Sequence, residues 1–333
     1  MLKAENQSYR FDRTTGHLCV PIRAGEHVDF NLPASRWSSD FLQDSGWLLG
    51  SLTIVPGRVI IAVHRESPKA YTPTSALALD TNEDSLDGVS ATADTTDLVS
   101  VPLGDVRQVQ ATHFKRRRKL ARAKANDRRV MRRLVNREAT RERSRVRQRL
   151  HVASKTIVQF AQRNRAVVVL ENLTLCGAGG PSREMNRRLS SWPRREIHRQ
   201  IEYKAALAGV PIIKVNPQWT SKTCPVCGAR RRDRVGQDFV CLVCDWEMDR
   251  QINAGLNILK TALASSKNEA LARAVRFQPG ALRHDVVSPL YDLLREGGGA
   301  REEPSGVEFA ASVRPDSACP VAEPVLPLDR PTG

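Results

Sequence analysis

Four cysteines in the order Cys224-x2-Cys227-x13-Cys241-x2-Cys244 constrain this chain more than any other feature of its sequence. Each C-x-x-C turn sets two sulfurs on one knuckle. Two knuckles joined across a short β-hairpin complete the tetrahedral thiolate cage that Zn²⁺ prefers. The stretch between them suits such a hairpin, with Arg230, Arg231, Arg232 and Arg234 at its tip. Two redox-active C-x-x-C pairs are the competing account, but all four positions are matched, which favours one structural zinc. A cage closed by four sulfurs leaves the metal no position for water, so the ribbon is scaffold and any chemistry lies elsewhere. The other three cysteines, Cys19, Cys176 and Cys319, are scattered, which argues against a disulfide framework.

The charge balance points to a polyanionic partner. The 333 residues carry 52 Lys and Arg against 36 Asp and Glu, a formal net charge of +16. The excess is local: residues 113–150 hold 17 basic and 3 acidic side chains, and residues 151–280 hold 21 and 10, whereas both flanks are net acidic. A segment so charged repels itself unless a polyanion neutralises it. The basic run, notably Lys115, Arg116, Arg117, Arg118, Lys119, Arg128, Arg129, Arg132 and Arg133, is therefore read as a nucleic-acid backbone contact, with a merely solvated face as the alternative. No apolar run approaches the roughly 18 residues of a membrane span and the N-terminus lacks a secretory core, so the expectation is a cytoplasmic protein with no membrane partner.

Apolar periodicity and turn residues divide the chain. Residues 1–70 hold alternating stretches (His17–Ile22, His27–Leu32, Trp47–Val55, Arg58–His64) that read as a small β-rich module. Residues 76–218 read as an α/β core: Ala76–Asp80 is a strand, Thr81–Gly88 a polar turn, and Val89–Ala93 and Asp97–Pro102 complete a meander. His113–Gln162 lacks Gly and Pro and predicts one long helix or a helical hairpin within a basic segment, 113–165, whose second half docks on the core. Ala166–Leu170 is a buried strand, Gly177–Pro193 a loop, Arg194–Ala208 a helix ended by Gly209, and Pro211–Val215 a strand. The ribbon occupies 219–247 and a final core helix 248–266. Beyond Asn268, apart from at most one amphipathic stretch, residues 268–333 read as a tail unable to bury much surface.

Two acidic residues close apolar strands. Asp80 ends Ala76–Leu79 and Glu171 ends Ala166–Leu170, so both carboxylates fall at the ends of strands from one sheet. Such a pair can hold divalent ions against a phosphodiester, although strand-end carboxylates are also commonly just solvated.

Several ordered pieces then carry a family resemblance over residues 76–260: Ala78-Leu-Asp80-Thr-Asn-Glu-Asp, Val168-Val-Leu-Glu171-Asn-Leu, Leu189-Ser-Ser-Trp192, Ile201-Glu-Tyr-Lys204-Ala, Asn216-Pro-Gln-Trp-Thr-Ser221-Lys-Thr-Cys224-Pro-Val-Cys227-Gly, and Asp249-Arg-Gln-Ile-Asn253-Ala-Gly-Leu-Asn257-Ile. Together they resemble TnpB, the insertion-sequence protein related to the type V CRISPR effectors. The resemblance implies an RNase H-like (RuvC-type) core with an inserted zinc ribbon, preceded by a partial wedge module. It also implies a guide RNA from the transposon end, cleavage of target DNA pairing with that guide, and catalytic Mg²⁺ or Mn²⁺ held by Asp80, Glu171 and a third carboxylate.

The chain departs from the family pattern twice. The third carboxylate usually stands immediately before the x-Asn-Ala unit, where this sequence has Gln251; Asp249, two residues earlier, is either its replacement or the N-cap of the next helix. Only about 75 residues precede the first acidic motif, so the helical recognition lobe of the family is expected to be absent. A nuclease-dead RNA-guided DNA-binding protein, or a zinc-ribbon nucleic-acid-binding protein without a guide, are the alternatives to a cutting enzyme.

Overall fold

Two apolar runs buried from end to end place the centre of the fold. The structure, a computed structural model, describes residues 2–4, 8–32, 41–173, 182–231, 236–279, 282, 287–290 and 292. The chain divides into two units, one of residues up to Arg65 and one of Glu66–Gly299.

The first unit holds β1 (Leu2–Ala4), β2 (Arg10–Phe11), β3 (His17–Arg23), β4 (Glu26–Asn31), β5 (Leu48–Val55) and β6 (Arg58–His64), in two antiparallel sheets ordered β2-β3-β4 and β1-β5-β6. The four alternating stretches of the sequence become β3 to β6. Leu18, Val20, Leu52 and Tyr9 form their shared core, and the Tyr9 hydroxyl donates to the Gly50 carbonyl at 2.7 Å.

In the second unit, β7 (Ser75–Thr81), β8 (Ser85–Ala91) and β9 (Thr96–Pro102) form an antiparallel meander. They are followed by the helices α1 (Val106–Ala123) and α2 (Arg128–Arg163) and by β10 (Ala166–Glu171), which pairs parallel to β7. Then come α3 (Arg183–Ser191), α4 (Arg194–Ala208) and β11 (Ile212–Val215), which pairs parallel to β10. After the ribbon hairpin β12 (Asp238–Val240) and β13 (Glu247–Asp249) come α5 (Arg250–Leu263), α6 (Glu269–Ala274) and β14 (Ser288–Pro289). The six-stranded sheet runs β11-β10-β7-β8-β9-β14.

Side chains alternate across a strand, so β7 and β10 must be apolar on both faces to sit inside a sheet covered on both sides. Leu77, Leu79, Val168 and Leu170 face Leu150 and Ile157 of α2 and Ile197 and Ile201 of α4. Ala76, Ala78, Val167 and Val169 face Ile252, Leu256 and Leu259 of α5. This second face is lined by small residues because α5 lies very close to it: a Cβ on Gly255 would stand 2.5 Å from the Gly88 Cα. Gly255→Ala, which in an ordinary helix interior gains about 1 kcal/mol, is therefore expected to destabilise by roughly 1–3 kcal/mol. A lowered urea midpoint at unchanged m-value checks this.

Three sequence expectations need correction. The supposed polar turn Thr81–Gly88 is mostly strand, since β8 starts at Ser85 and pairs Asp87 with Asp80. Part of the expected loop 177–193 is α3, capped by the Ser182 hydroxyl, which accepts from Met185 N at 3.1 Å; residues 174–181 lie outside the described residues. The chain beyond Asn268 does bury surface: Leu271, Val275 and Leu282 pack on the α5 face, and Leu290 on the opposite one. The rest of the expected tail, 293–333, lies outside the described residues.

Candidate active site and nucleic-acid interface

One row of residues crosses the sheet. The register sets Ser100 of β9 opposite Asp87 of β8 and Asp87 opposite Asp80 of β7; β10 runs beside β7 with Val169 against Ala78, which brings Glu171 alongside Asp80. Directly opposed residues point to the same face, here the one that α5 covers. Asp80 and Glu171, predicted from sequence, therefore come together, close enough for each to act on the other's titration. Burial, reinforced by the Glu171 charge, pushes Asp80 far above the usual carboxylate range. Burial also raises Glu171, against the Thr220 hydroxyl, which donates to its Oε1 at 2.6 Å. A buried carboxylate pair must share a proton or meet a cation, and this hard oxygen donor set fits a divalent ion.

Sequence reasoning missed Asp87 because its neighbours look like a turn. It is buried; Asn82 Nδ2 donates to its Oδ2 at 3.2 Å, Ser100 donates to its Oδ1 at 2.5 Å, and Ser85 also donates to Oδ2. The remaining predicted carboxylate, Asp249, ends β13 and caps α5. Its Oδ1 accepts from Gln251 N at 2.8 Å and Ile252 N at 3.3 Å. Its backbone is extended rather than helical, at φ −50° and ψ 133°, and its charge acts on Asp87. Asp249 thus serves as a helix cap, and its charge is felt at Asp87.

The four thiols converge: all four sulfurs lie within 4.8 Å of one another, with Cys224–Cys244 at 3.6 Å and Cys227–Cys241 at 3.5 Å. Zn–S bonds of about 2.3 Å in a tetrahedron require sulfurs about 3.8 Å apart, so the quartet fits zinc. Burial raises the Cys241 thiol, but the Val243 and Cys244 backbone N–H groups outweigh it and bring the pKa to about 7, whereas burial raises Cys224 and, against the Trp246 backbone N–H, desolvation and the neighbouring sulfurs push Cys244 up to about 12. The cage is tied to α5: Asn257 Nδ2 donates to the Thr220 and Thr223 carbonyls at 2.9 and 2.7 Å, Asn253 Nδ2 to Thr223 O at 3.0 Å, and Lys260 Nζ to Pro225 O at 2.8 Å. Through Thr220, the ribbon also holds Glu171.

The basic segment is a helical hairpin. It is locked internally by the buried pair His113 and Glu138, with His113 Nδ1 2.8 Å from Glu138 Oε1, and by Arg117 on Glu142. Asp127 caps α2, accepting from Val130 N at 3.0 Å. Burial holds His113 below its ordinary pKa, so the neutral ring donates to Glu138 at pH 7. Lys115, Arg116, Arg118, Lys119, Arg128, Arg129, Arg132 and Arg133 are exposed, and among the described residues only Arg116 of these contacts a carboxylate, Glu138 at 3.7 Å. Arg117 belongs to the hairpin lock rather than to this surface.

The chain is similar to several known proteins. The family described as Cas12f1-like, TNB domain matches residues 195–258. A TnpB-like protein of Methanocaldococcus jannaschii, MJ0751, is 27% identical over 243 residues, covering 70% of this chain and 86% of that protein. The CRISPR-associated endodeoxyribonuclease Cas12f1 of Sulfoacidibacillus thermotolerans is 34% identical over 111 residues, and the match covers 32% of this chain and only 25% of that protein. Among solved structures, a Cas12f1–sgRNA–target DNA complex aligns with a TM-score of 0.43 at 24% identity, covering 60% of this chain and 52% of that one.

Proposed function

We infer that this chain is a TnpB-like RNA-guided DNA endonuclease whose site is formed by Asp80 and Glu171 of the carboxylate row together with Asp249. The observation that carries the reading is the pairing of two carboxylates, the half-buried Asp80 and the buried Glu171, at matching ends of adjacent parallel strands. An antiparallel meander followed by two parallel strands on one edge supports an RNase H-like core. Divalent ions held there would activate a water and stabilise the leaving oxygen of a phosphodiester. Asp80 and Glu171 would hold them, with Asp249 adding negative charge from the start of α5 and Thr220 fixing the orientation of Glu171. Zinc in the four-cysteine cage folds the ribbon.

The unpaired cations of the α1–α2 hairpin suit the backbone of a guide–target duplex, which they hold without reading sequence. A binder that does not cut is the second reading, favoured by the capping role of Asp249 and the neutral Gln251 beside it. Sequencing the RNA that co-purifies with the chain, then testing metal-dependent cleavage of DNA matching it, separates these from a guide-free protein. Reversing Arg128, Arg129, Arg132 and Arg133 together is expected to flatten the salt dependence of RNA–DNA binding by a log–log slope of about 3–4. An unchanged slope would return the hairpin to the status of a solvated face.

A further inference from the structure

Between β11 and the first zinc knuckle the chain turns sharply, and Trp219 stands at the turn 40% exposed. Its φ is 70°, in the left-handed region that a bulky aromatic rarely occupies. The loop enforces it: the Trp219 carbonyl accepts from Lys222 N at 3.0 Å and from the Thr223 hydroxyl at 2.9 Å, while Asn216 Oδ1 accepts from Gln218 N at 3.0 Å. A large apolar ring held outward by strained backbone forgoes the burial that ordinarily stabilises an indole, which directs attention to a ligand.

Two cations flank the ring. The Arg230 guanidinium lies 5.4 Å and the Lys222 ammonium 5.6 Å from its centroid. The next residue, Thr220, donates to Glu171. A partly exposed indole with two cations over it matches an unpaired nucleobase and its phosphate, because a base can stack on the ring in place of a mobile side chain while the displaced cation meets the phosphate. We propose that Trp219, flanked by Arg230 and Lys222, is a stacking platform for one unpaired base of a single-stranded nucleic acid, seating that strand beside Glu171. The seating beside Glu171 rests on the nuclease reading; the stacking itself does not.

The test measures binding of fluorescein-labelled short oligo(dT), oligo(rU) and a blunt DNA duplex to the full zinc-loaded chain, without chelator and without added Mg²⁺ or Mn²⁺, for the natural protein, Trp219→Ala and Trp219→Phe. Trp219→Ala is expected to weaken single-strand binding about 5- to 150-fold and leave the duplex nearly unchanged; the oligonucleotide losing more affinity tells whether the strand is DNA or RNA. Trp219→Phe keeps a ring and is expected to retain most of the affinity. As a measurement independent of the Ala variant's folding, oligonucleotide should quench the tryptophan fluorescence of the natural protein more than that of Trp219→Phe. Equal losses on single strand and duplex, no loss in Trp219→Ala, or equal quenching in Trp219→Phe would each overturn the platform. If the platform passes and matched DNA is not cut, the nuclease reading falls alone; if DNA is cut and Trp219→Ala binds normally, the platform falls alone.

Discussion

Cys241→Ser is expected to release zinc, unfold residues 219–247 and abolish DNA cleavage together. Among the described residues, the ribbon's own apolar core is Cys224, Phe239 and Cys241 with Ala229 and Trp246 packed against them, too little to hold a fold without a crosslink. A structural zinc in a small domain contributes on the order of 10–16 kcal/mol, essentially all of the local stability. The loss then spreads through named contacts: Asn253 and Asn257 lose the carbonyls of Thr220 and Thr223, and Glu171 loses the Thr220 hydroxyl. Metal content by mass spectrometry, proteolysis within the ribbon and a cleavage assay read the three effects. Thr220→Val separates them, since it leaves the cage intact; it is expected to keep one zinc per chain while slowing cleavage about 10- to 100-fold, the usual cost of a lost supporting hydrogen bond at a metal ligand. Retained zinc and activity in Cys241→Ser would refute the four-sulfur cage.

Exchanging carboxylates for amides in the row is expected to have the second large effect. Asp80→Asn keeps the shape of the side chain and removes the charge, and should lower metal-dependent cleavage on the order of 10³-fold, as removal of a principal electrostatic contact does. Asp249 needs a different comparison, because Asp249→Ala would also remove the cap of α5, worth about 1 kcal/mol. Asparagine caps as well as aspartate, so Asp249→Asn retains the bonds to Gln251 N and Ile252 N and deletes only the charge. A catalytic Asp249 predicts that Asp249→Asn is inactive at unchanged stability. Full cleavage in Asp249→Asn would leave Asp249 as a cap only, and a gain of cleavage in Gln251→Asp would then locate the missing ligand at the position the family pattern expects. Cleavage surviving Asp80→Asn would remove the nuclease assignment from this sheet.

The parts of the protein legible from sequence are those whose physics is local. Two C-x-x-C turns converge because each knuckle closes on itself, Cys224 N to Ala229 O and Cys241 N to Trp246 O, both at 2.8 Å. The runs Ala76–Leu79 and Val167–Leu170 announce strands buried on both faces, and the acids that end them, Asp80 and Glu171, announce the row. The helical hairpin follows from a long stretch without Gly or Pro, broken at Asp127 by a capping side chain.

Tertiary structure decided the rest, because distant partners had to be supplied. Ser85-Leu-Asp87-Gly88 carries the composition of a turn, and only pairing with β7 and β9 makes it strand and buries Asp87 under the Ser85 and Ser100 hydroxyls. Leu271, Val275 and Leu282 lie in a stretch whose sequence allowed an amphipathic element without giving it a partner, and they pack on the face already formed around α5. Asp249 could not be placed from periodicity, since its relation to Asp87 depends on how closely α5 approaches the sheet, and that distance is set by Gly88 meeting Gly255 from 167 residues away.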